Sequence, residues 1–388
     1  MIHINEKRDC CGCGACASAC PKGCISMKED VEGFLYPYIV IEDCIACGLC
    51  ERVCPVLNQN DIEDTAIPDA YAAYAKKNSI REKSSSGGLF SLIAENVLQS
   101  GGVVFGAAFD LDFSVKHIVV DNSKELGRLR GSKYLQSRTE NTFIDAKRFL
   151  DNGRLVLYTG TACQIEGLKK YLQKEYENLY TVDVLCHGVP SPKLWKKYIM
   201  EKENKYGGVV QKIFFRQKDF GWKIYVVLLE FSNKTAYKRI FKEDSFMKMF
   251  LANICLRPSC YACKFKGLNR SSDITLGDCW GINKYMPEMD DDKGTSVVLI
   301  HSEKGKKIFE VLSNQMIVRE GDVDRLLPPS SDSRKSVSRH RNRKKFFKEL
   351  YRNVWGIDKL EKLIEPTWYD RMQRKILNIV RMIKQKIC

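Results

Sequence analysis

From Asp69 onward, short apolar runs alternate with stretches whose apolar residues recur every three or four positions. Ala70–Ala75, Val103–Ala108, Leu155–Thr159 and Leu179–Leu185 read as strands, and Gly88–Leu98, Thr142–Leu150, Gln164–Leu172 and Pro192–Tyr206 as helices. The alternation predicts an α/β core with some parallel strands. Val209–Phe215 and Tyr225–Phe231 read as a later antiparallel pair, which makes the expected sheet mixed. Thr295–His301 is a further strand, followed by a helix. Residues 1–57 have a different texture: they are short, cysteine-rich and internally repeated. Residues 58–68 (NQNDIEDTAIP) are polar, acidic and end in Pro, which predicts a linker. LLPPSSDS at 326–333 breaks the pattern again. The expected organisation is therefore a small N-terminal domain over 1–57, a linker over 58–68, an α/β domain over 69–330 and a basic helical tail over 331–388. No longer repeat period is present.

Composition sharpens this picture. Apolar residues make up 44% of the 388-residue chain, which excludes general disorder. No apolar run approaches the roughly 18 residues of a membrane span. MIHINEKRDCCGCG passes from charges straight into cysteines without an apolar stretch, so no secretory signal is expected. Of 17 cysteines, ten lie within residues 10–54. Without an export signal, such density predicts metal binding in a reducing compartment, the cytoplasm, rather than a disulfide framework. The formal charge of +15 is concentrated at the C-terminus, where residues 334–388 carry 17 Lys/Arg against five Asp/Glu.

The N-terminal cysteines fall into two runs of identical spacing, Cys10-x2-Cys13-x2-Cys16-x3-Cys20-Pro21 and Cys44-x2-Cys47-x2-Cys50-x3-Cys54-Pro55. This is the bacterial ferredoxin spacing, in which the fourth cysteine of each run ligates the other run's cluster. It assigns Cys10, Cys13, Cys16 and Cys54 to one 4Fe–4S cluster and Cys44, Cys47, Cys50 and Cys20 to a second. A zinc module would use four ligands in two spaced pairs rather than two complete tetrads. Cys11 and Cys24 are left over as bystanders.

A third set is more dispersed. Cys163 follows one expected strand and Cys186 the next, which puts both at the carboxyl end of the sheet, where α/β folds bind ligands. Cys260-x2-Cys263 adds a tight pair. Four thiols from three loops suit a third 4Fe–4S cluster; the competing reading is two small buried side chains plus a zinc pair or an idle one. Cys255 and Cys279 are spare candidates. His187 is a ligand, a proton donor or a loop residue satisfied by the backbone. SSSGGLFS places hydroxyls and two glycines before a helix, which suits a phosphate. GSKYLQS (131–137) suits a polar aromatic ligand. No P-loop or G-x-G-x-x-G motif occurs.

Together SSSGGLFS, GSKYLQS, YTGTACQIEGLK, DVLCHGVPSP, RPSCYACKF and DITLGDCWGI, in order from Ser84 to Ile282 behind a two-cluster ferredoxin, resemble the coenzyme F420 hydrogenase/dehydrogenase beta-subunit family. The resemblance covers about four-fifths of the chain. It implies FAD in the α/β domain with one further 4Fe–4S cluster beside it. It carries that cluster onto Cys163, Cys186, Cys260 and Cys263, and flavin binding onto Ser86, Gly87, Gly88, Ser132, Lys133, Tyr134, Gly160 and Thr161. Two departures stand out. Ala162 replaces the Pro usual in the G-T-P-C turn, and Cys279 stands where the G-D-x-W-G motif has an aromatic. The family includes archaeal enzymes that use the deazaflavin F420 and bacterial members, often linked to surface-polysaccharide genes. SSSGGLFS and CHGVPSP resemble the bacterial branch, so use of F420 as substrate is left open.

These readings predict a cytoplasmic iron–sulfur flavoprotein oxidoreductase. It would link hydride chemistry on a small redox substrate to one-electron exchange with a partner protein. Lys133 is the expected charge near the flavin, and Lys133 and His187 are the candidate catalytic residues. The alternative is a non-catalytic ferredoxin-type adaptor for a partner enzyme. In the tail, Met372, Ile376, Ile379, Val380, Ile383 and Ile387 recur at helical spacing among basic residues. That suits packing on the domain with a solvated basic face, or peripheral contact with an anionic membrane surface. No nucleic-acid recognition motif accompanies the charge.

Overall fold

The computed structural model describes residues 1–59 and 67–366. Most of the linker and the apolar repeat of the tail, Met372 to Ile387, therefore lie outside the described residues. In chain order the strands are β1 (Ile25–Glu29), β2 (Leu35–Ile39), β3 (Asp69–Ala75), β4 (Val103–Phe109), β5 (Val115–Val120), β6 (Ser137–Arg138), β7 (Val156–Thr161), β8 (Leu179–Val184), β9 (Val210–Gln217), β10 (Val226–Phe231), β11 (Ala236–Ile240), β12 (Ile274–Asp278), β13 (Ser296–Ile300) and β14 (Met316–Glu320). Nine of them form one mixed sheet in the order β14-β3-β13-β12-β8-β7-β4-β5-β6. β12, β8, β7 and β4 are mutually parallel. β13 runs against both β12 and β3, so β3 shares the direction of the parallel set.

The sheet is covered on both faces, which explains its apolar strands. Alternate residues of β4 and β7 divide between the two faces of the sheet. Val104 and Leu157 meet Leu92, Ile93 and Val97 of the helix Leu89–Gln99. Val103, Phe105, Val156 and Tyr158 meet Phe143, Ile165 and Leu168 of the helices Thr142–Asp151 and Ala162–Leu172. The pair expected over 209–231 does form, but not in the main sheet. β9, β10 and β11 make a separate three-stranded sheet. The main sheet owes its mixed character to β5, β13 and β14 instead.

The three-stranded sheet packs against the helices Pro192–Tyr206, Ser245–Leu251, Arg343–Arg352 and Ile357–Glu361 in a second core. The described part of the tail thus contributes Phe346, Phe347, Leu350, Ile357 and Leu360 to that core. So does Phe34, from the turn between β1 and β2 in the N-terminal module. At that turn Gly33 has φ +87, and a Cβ there would come within 2.6 Å of the Lys193 backbone nitrogen, so only glycine fits. Among the described residues no helix is long and apolar enough to cross a membrane.

Candidate functional site

The two N-terminal cysteine runs fold as near copies. Each opens on an extended cysteine, turns through a left-handed residue (Gly12, φ 73; Ala46, φ 52), and enters a single helical turn after a left-handed Gly14 or Gly48. Cys10, Cys13, Cys16 and Cys54 line one hollow, together with Cys11. Cys20, Cys44, Cys47 and Cys50 line the other, together with Cys24. The two hollows are similar in size, about 330 and 350 Å³ of non-protein space counted out to solvent. The fourth cysteine of each run therefore lines the hollow of the other run. The thiols ring a space rather than meet at a point. Among the described residues no three His, Cys, Asp or Glu side chains converge closely enough for one metal ion. That arrangement fits a four-iron cube held at its corners.

Backbone and side-chain donors already face these sulfurs. The Ile2 amide donates to Cys50 Sγ at 3.2 Å, and Arg257 Nη2 lies 3.6 Å from Cys10 Sγ. Burial pushes the Cys16 thiol up to about 12. Such a thiol ionises only when a cation arrives to hold the thiolate. The cysteines of the second hollow are less buried: Cys47 is exposed and Cys20 and Cys44 are half-buried. Cys24 Sγ stands 3.3 Å from Cys20 Sγ.

At the carboxyl end of the sheet, Cys163 opens the helix after β7 and Cys186 lies in the loop after β8. Thr161 caps that helix in a reciprocal box with Gln164, and its hydroxyl lies 3.2 Å from Cys163 Sγ. The loop after Cys186 is tied to the segment carrying the CxxC pair. Ser191 N donates to Cys255 O, Arg257 N to Val189 O, and Val189 N to Cys260 Sγ at 3.4 Å. The four thiols feel one another. Burial raises Cys186, and the charges of Cys260, Cys163 and Cys263 raise it further. Burial likewise brings Cys260 to about 12, with Cys263 and Cys163 adding to it. The two spare cysteines are elsewhere. Cys279 is buried among Ala70, Ala72, Val297 and Leu299, and Cys255 lies in the second core.

Cys11 was not expected to matter, yet it joins the two regions. Its thiol is raised chiefly by its neighbour Cys13, and its nearness in turn raises Cys163. The helix Ala162–Leu172 also presses on the first hollow. A Cβ at Gly167 would lie 2.9 Å from Cys13 Cβ and 3.0 Å from its sulfur. The segment 136–139 clasps the same loop, with Gln136 Nε2 donating to Cys11 O at 3.1 Å and Thr139 Oγ1 to Cys13 O at 2.7 Å.

The residues carried over for flavin binding separate into groups. Ser86, Gly87 and Gly88 precede the helix Leu89–Gln99, and Ser132 is tied to them through Ser85 Oγ at 2.7 and 2.9 Å. Ser86 Oγ donates to Thr295 O, and Gly87 N to Ser296 Oγ. Lys133 Nζ donates to the carbonyls of Arg128 and Arg130, and burial lowers it to about 7. Gly160 and Thr161 sit apart, beside Cys163. His187 is held between Asn253 Oδ1 at 2.6 Å and Asp332 at 3.4 Å; burial lowers its pKa. Side-chain partners thus secure it in its loop.

Tyr134 belongs to a group that the sequence did not single out. Its hydroxyl accepts from Arg216, which is paired with Asp278 at 2.5 Å and lies over the rings of Tyr225 and Trp280. Arg216 Nε and Nη2 are buried without hydrogen-bond partners. Trp222 donates to Asp278 and stacks on Trp280 with centroids 4.5 Å apart and planes within 5°. Trp280 remains 48% exposed, so one of its edges or faces is free for a planar ligand. The signal was partly present, since Asp278 and Trp280 lie in DITLGDCWGI. Arg216 has no sequence neighbour that marks it.

Comparison with known families gives three matches. Residues 9–58 match the 4Fe-4S dicluster domain. Residues 70–142 match the N-terminal region, and residues 153–325 the C-terminal region, of the coenzyme F420 hydrogenase/dehydrogenase beta-subunit family. Comparison with curated proteins finds no match. Among solved structures, a chain of the F420-reducing NiFe hydrogenase complex from Methanosarcina barkeri is similar at 18% identity. The match covers 78% of this chain and 93% of that one, with a TM-score of 0.47, a likeness too distant to bear on function.

Proposed function

Because the chain belongs to the coenzyme F420 hydrogenase/dehydrogenase beta-subunit family and carries a 4Fe-4S dicluster domain, we propose that it is an electron-transfer oxidoreductase with three 4Fe–4S clusters and FAD. One observation carries the reading. The first ferredoxin hollow is seated on the helix that delivers Cys163, where a Cβ at Gly167 would lie 2.9 Å from Cys13 Cβ. An adaptor module has no reason to press its cluster site against four more cysteines at the ligand end of a sheet.

Cys10, Cys13, Cys16 and Cys54, then Cys20, Cys44, Cys47 and Cys50, and then Cys163, Cys186, Cys260 and Cys263 would hold the clusters. Ser86, Gly87, Gly88, Ser132 and Lys133 are the groups proposed for the flavin phosphates. The unspent donors of Arg216, beside Tyr134 and the open Trp280, support a planar polar ligand nearby. When bound, these groups supply the exchange between two-electron hydride chemistry and single-electron transfer. The protein's own share is orientation and water exclusion: Thr139 and Gln136 fix the first cysteine loop, and the capped helix at Thr161 fixes Cys163. The partner is proposed to be a redox protein meeting the second hollow at the exposed Cys47. A link to surface-polysaccharide synthesis rests on the motif wording alone.

The test is to purify the chain without oxygen, reconstitute it with iron, sulfide and FAD, and count. About twelve irons and one flavin, from three four-iron clusters, is the expected result, with flavin reduction by a soluble hydride donor. About eight irons and no flavin would overturn the third cluster and the hydride chemistry together.

A further inference from the structure

Among the described residues five arginine side chains are deeply buried, and four have a carboxylate partner. Arg81 pairs with Asp291, Arg216 with Asp278, Arg270 with Asp183 and Arg343 with Glu32. The fifth, Arg257, is 0% exposed, and among the described residues no carboxylate lies within ion-pair distance of it. An unpaired buried charge costs several kcal/mol, so it is retained only where another negative group faces it. Its neighbours are three acceptors and a sulfur. Nε donates to Cys10 O at 2.9 Å, Nη1 to Gln136 Oε1 at 2.9 Å, and Nη2 to Leu35 O at 2.8 Å while lying 3.6 Å from Cys10 Sγ. Tyr36 lies under the guanidinium at 4.4 Å. Arg257 is also tied to the third thiol set, since the Cys260 amide donates to its carbonyl at 3.0 Å, and its charge acts on Cys10, Cys11, Cys260 and Cys163. None of its contacts lines the hollow of Cys20, Cys44, Cys47 and Cys50.

We propose that Arg257 is the counter-ion shared by the first ferredoxin cluster site and the third thiol set, and that it sets their reduction potentials apart from that of the second cluster site. The inference rests on the cluster assignments above. A charge in a low-dielectric setting acts most strongly on what it touches, and cluster potentials follow net charge and hydrogen bonds to sulfur. Reduction adds one electron and one negative charge to a cluster, with no bond made and no proton moved. A fixed cation at Cys10 therefore favours the reduced form there. The guanidinium fork serves geometry as well. It holds the Cys10 loop, β2 and Gln136 in one arrangement, and a Cβ at Gly12 would collide with Nη1 at 2.8 Å. Arg257 is a positioning residue, since it reaches the clusters through their ligands.

The experiment is an EPR-monitored redox titration of the full reconstituted chain, comparing wild type with Arg257→Gln and Arg257→Lys. A Cys47→Ser background identifies the second cluster's signal. In Arg257→Gln the first cluster's potential falls, displacing the one-electron equilibrium about tenfold, or ~59 mV. The second cluster's potential stays put. Arg257→Lys, which keeps the charge and loses the fork, stays close to wild type. If Arg257→Gln fails to retain iron while Arg257→Lys loads fully at wild-type potential, the requirement for charge is equally supported. Unmoved potentials in a fully loaded Arg257→Gln protein, or equal shifts in every cluster, would overturn the proposal. The iron count separates this from the wider reading. With eight irons and no flavin the first cluster's shift still reports on Arg257, and with twelve irons an unmoved first cluster counts against Arg257 alone.

Discussion

Two side chains show how burial and charge are balanced at single positions. Asp278 satisfies both Arg216 and Trp222 Nε1, so Asp278→Ala leaves a buried guanidinium without its counter-charge. The expected loss is about 3–5 kcal/mol, read as a lower denaturation midpoint with an unchanged slope. A loss below about 1 kcal/mol would mean that the aromatic rings around Arg216 carry the charge alone. Lys133 gives a pH signature. Its ammonium releases its proton at about 7 in the folded chain, against about 10.4 when unfolded. Between those values the unfolded chain binds the extra proton, so stability from this group rises with pH and the penalty is greatest below 7. Lys133→Met should therefore gain on wild type at pH 6 and keep only part of that advantage at pH 9, the remainder vanishing above the unfolded value of about 10.4. With allowance for a half-buried side chain, the difference is at least about 1 kcal/mol. Parallel denaturation curves at the two pH values decide it.

At the scale of elements, the helix Ala162–Leu172 is the one that both delivers Cys163 and bears on Cys13. Gly167→Ala should cost about 1–3 kcal/mol, because the new methyl meets a cysteine loop that is itself clasped from the other side. Gly127→Ala, with open space around it and an ordinary φ, serves as the neutral control; equal melting temperatures for the two variants would show that the contact carries no weight. The strands recognised in the sequence were those with dense apolar runs, β3, β4, β7, β8, β9, β10 and β13. β5 interrupts its run with Lys116 and His117, and β14 ends in Arg319 and Glu320. β12 is short and sits inside a motif that drew attention for its chemistry, not its conformation. The cysteine tetrads were legible because a cluster site is built largely from local spacing. Arg257 and Cys10 are 247 residues apart, and Arg216 meets Asp278 across 62. No local pattern announces contacts that only the fold creates.

At the scale of the molecule, the N-terminal module is held by the body at several independent points. Phe34 sits in the second core, and Arg343 holds Glu32 through both oxygens at 3.0 and 2.6 Å. Arg343 belongs to the described part of the tail, so that segment secures the module as well as covering the three-stranded sheet. Ending the chain at residue 330 would strip Phe346, Phe347, Leu350, Ile357 and Leu360 from the core. At about 1.5–3 kcal/mol for each side chain, the loss rivals the whole stability of an ordinary domain. The expected product is aggregated protein, and a soluble monomer by size exclusion would contradict this. The unequal shelter of the two ferredoxin hollows has a consequence of its own. Cys47 faces solvent, while Cys13, Cys16 and Cys54 are buried. Dioxygen would thus reach one cube well before the other, and a sample left in air would bleach in two stages, the outer centre acting as a sacrificial cover for the inner one.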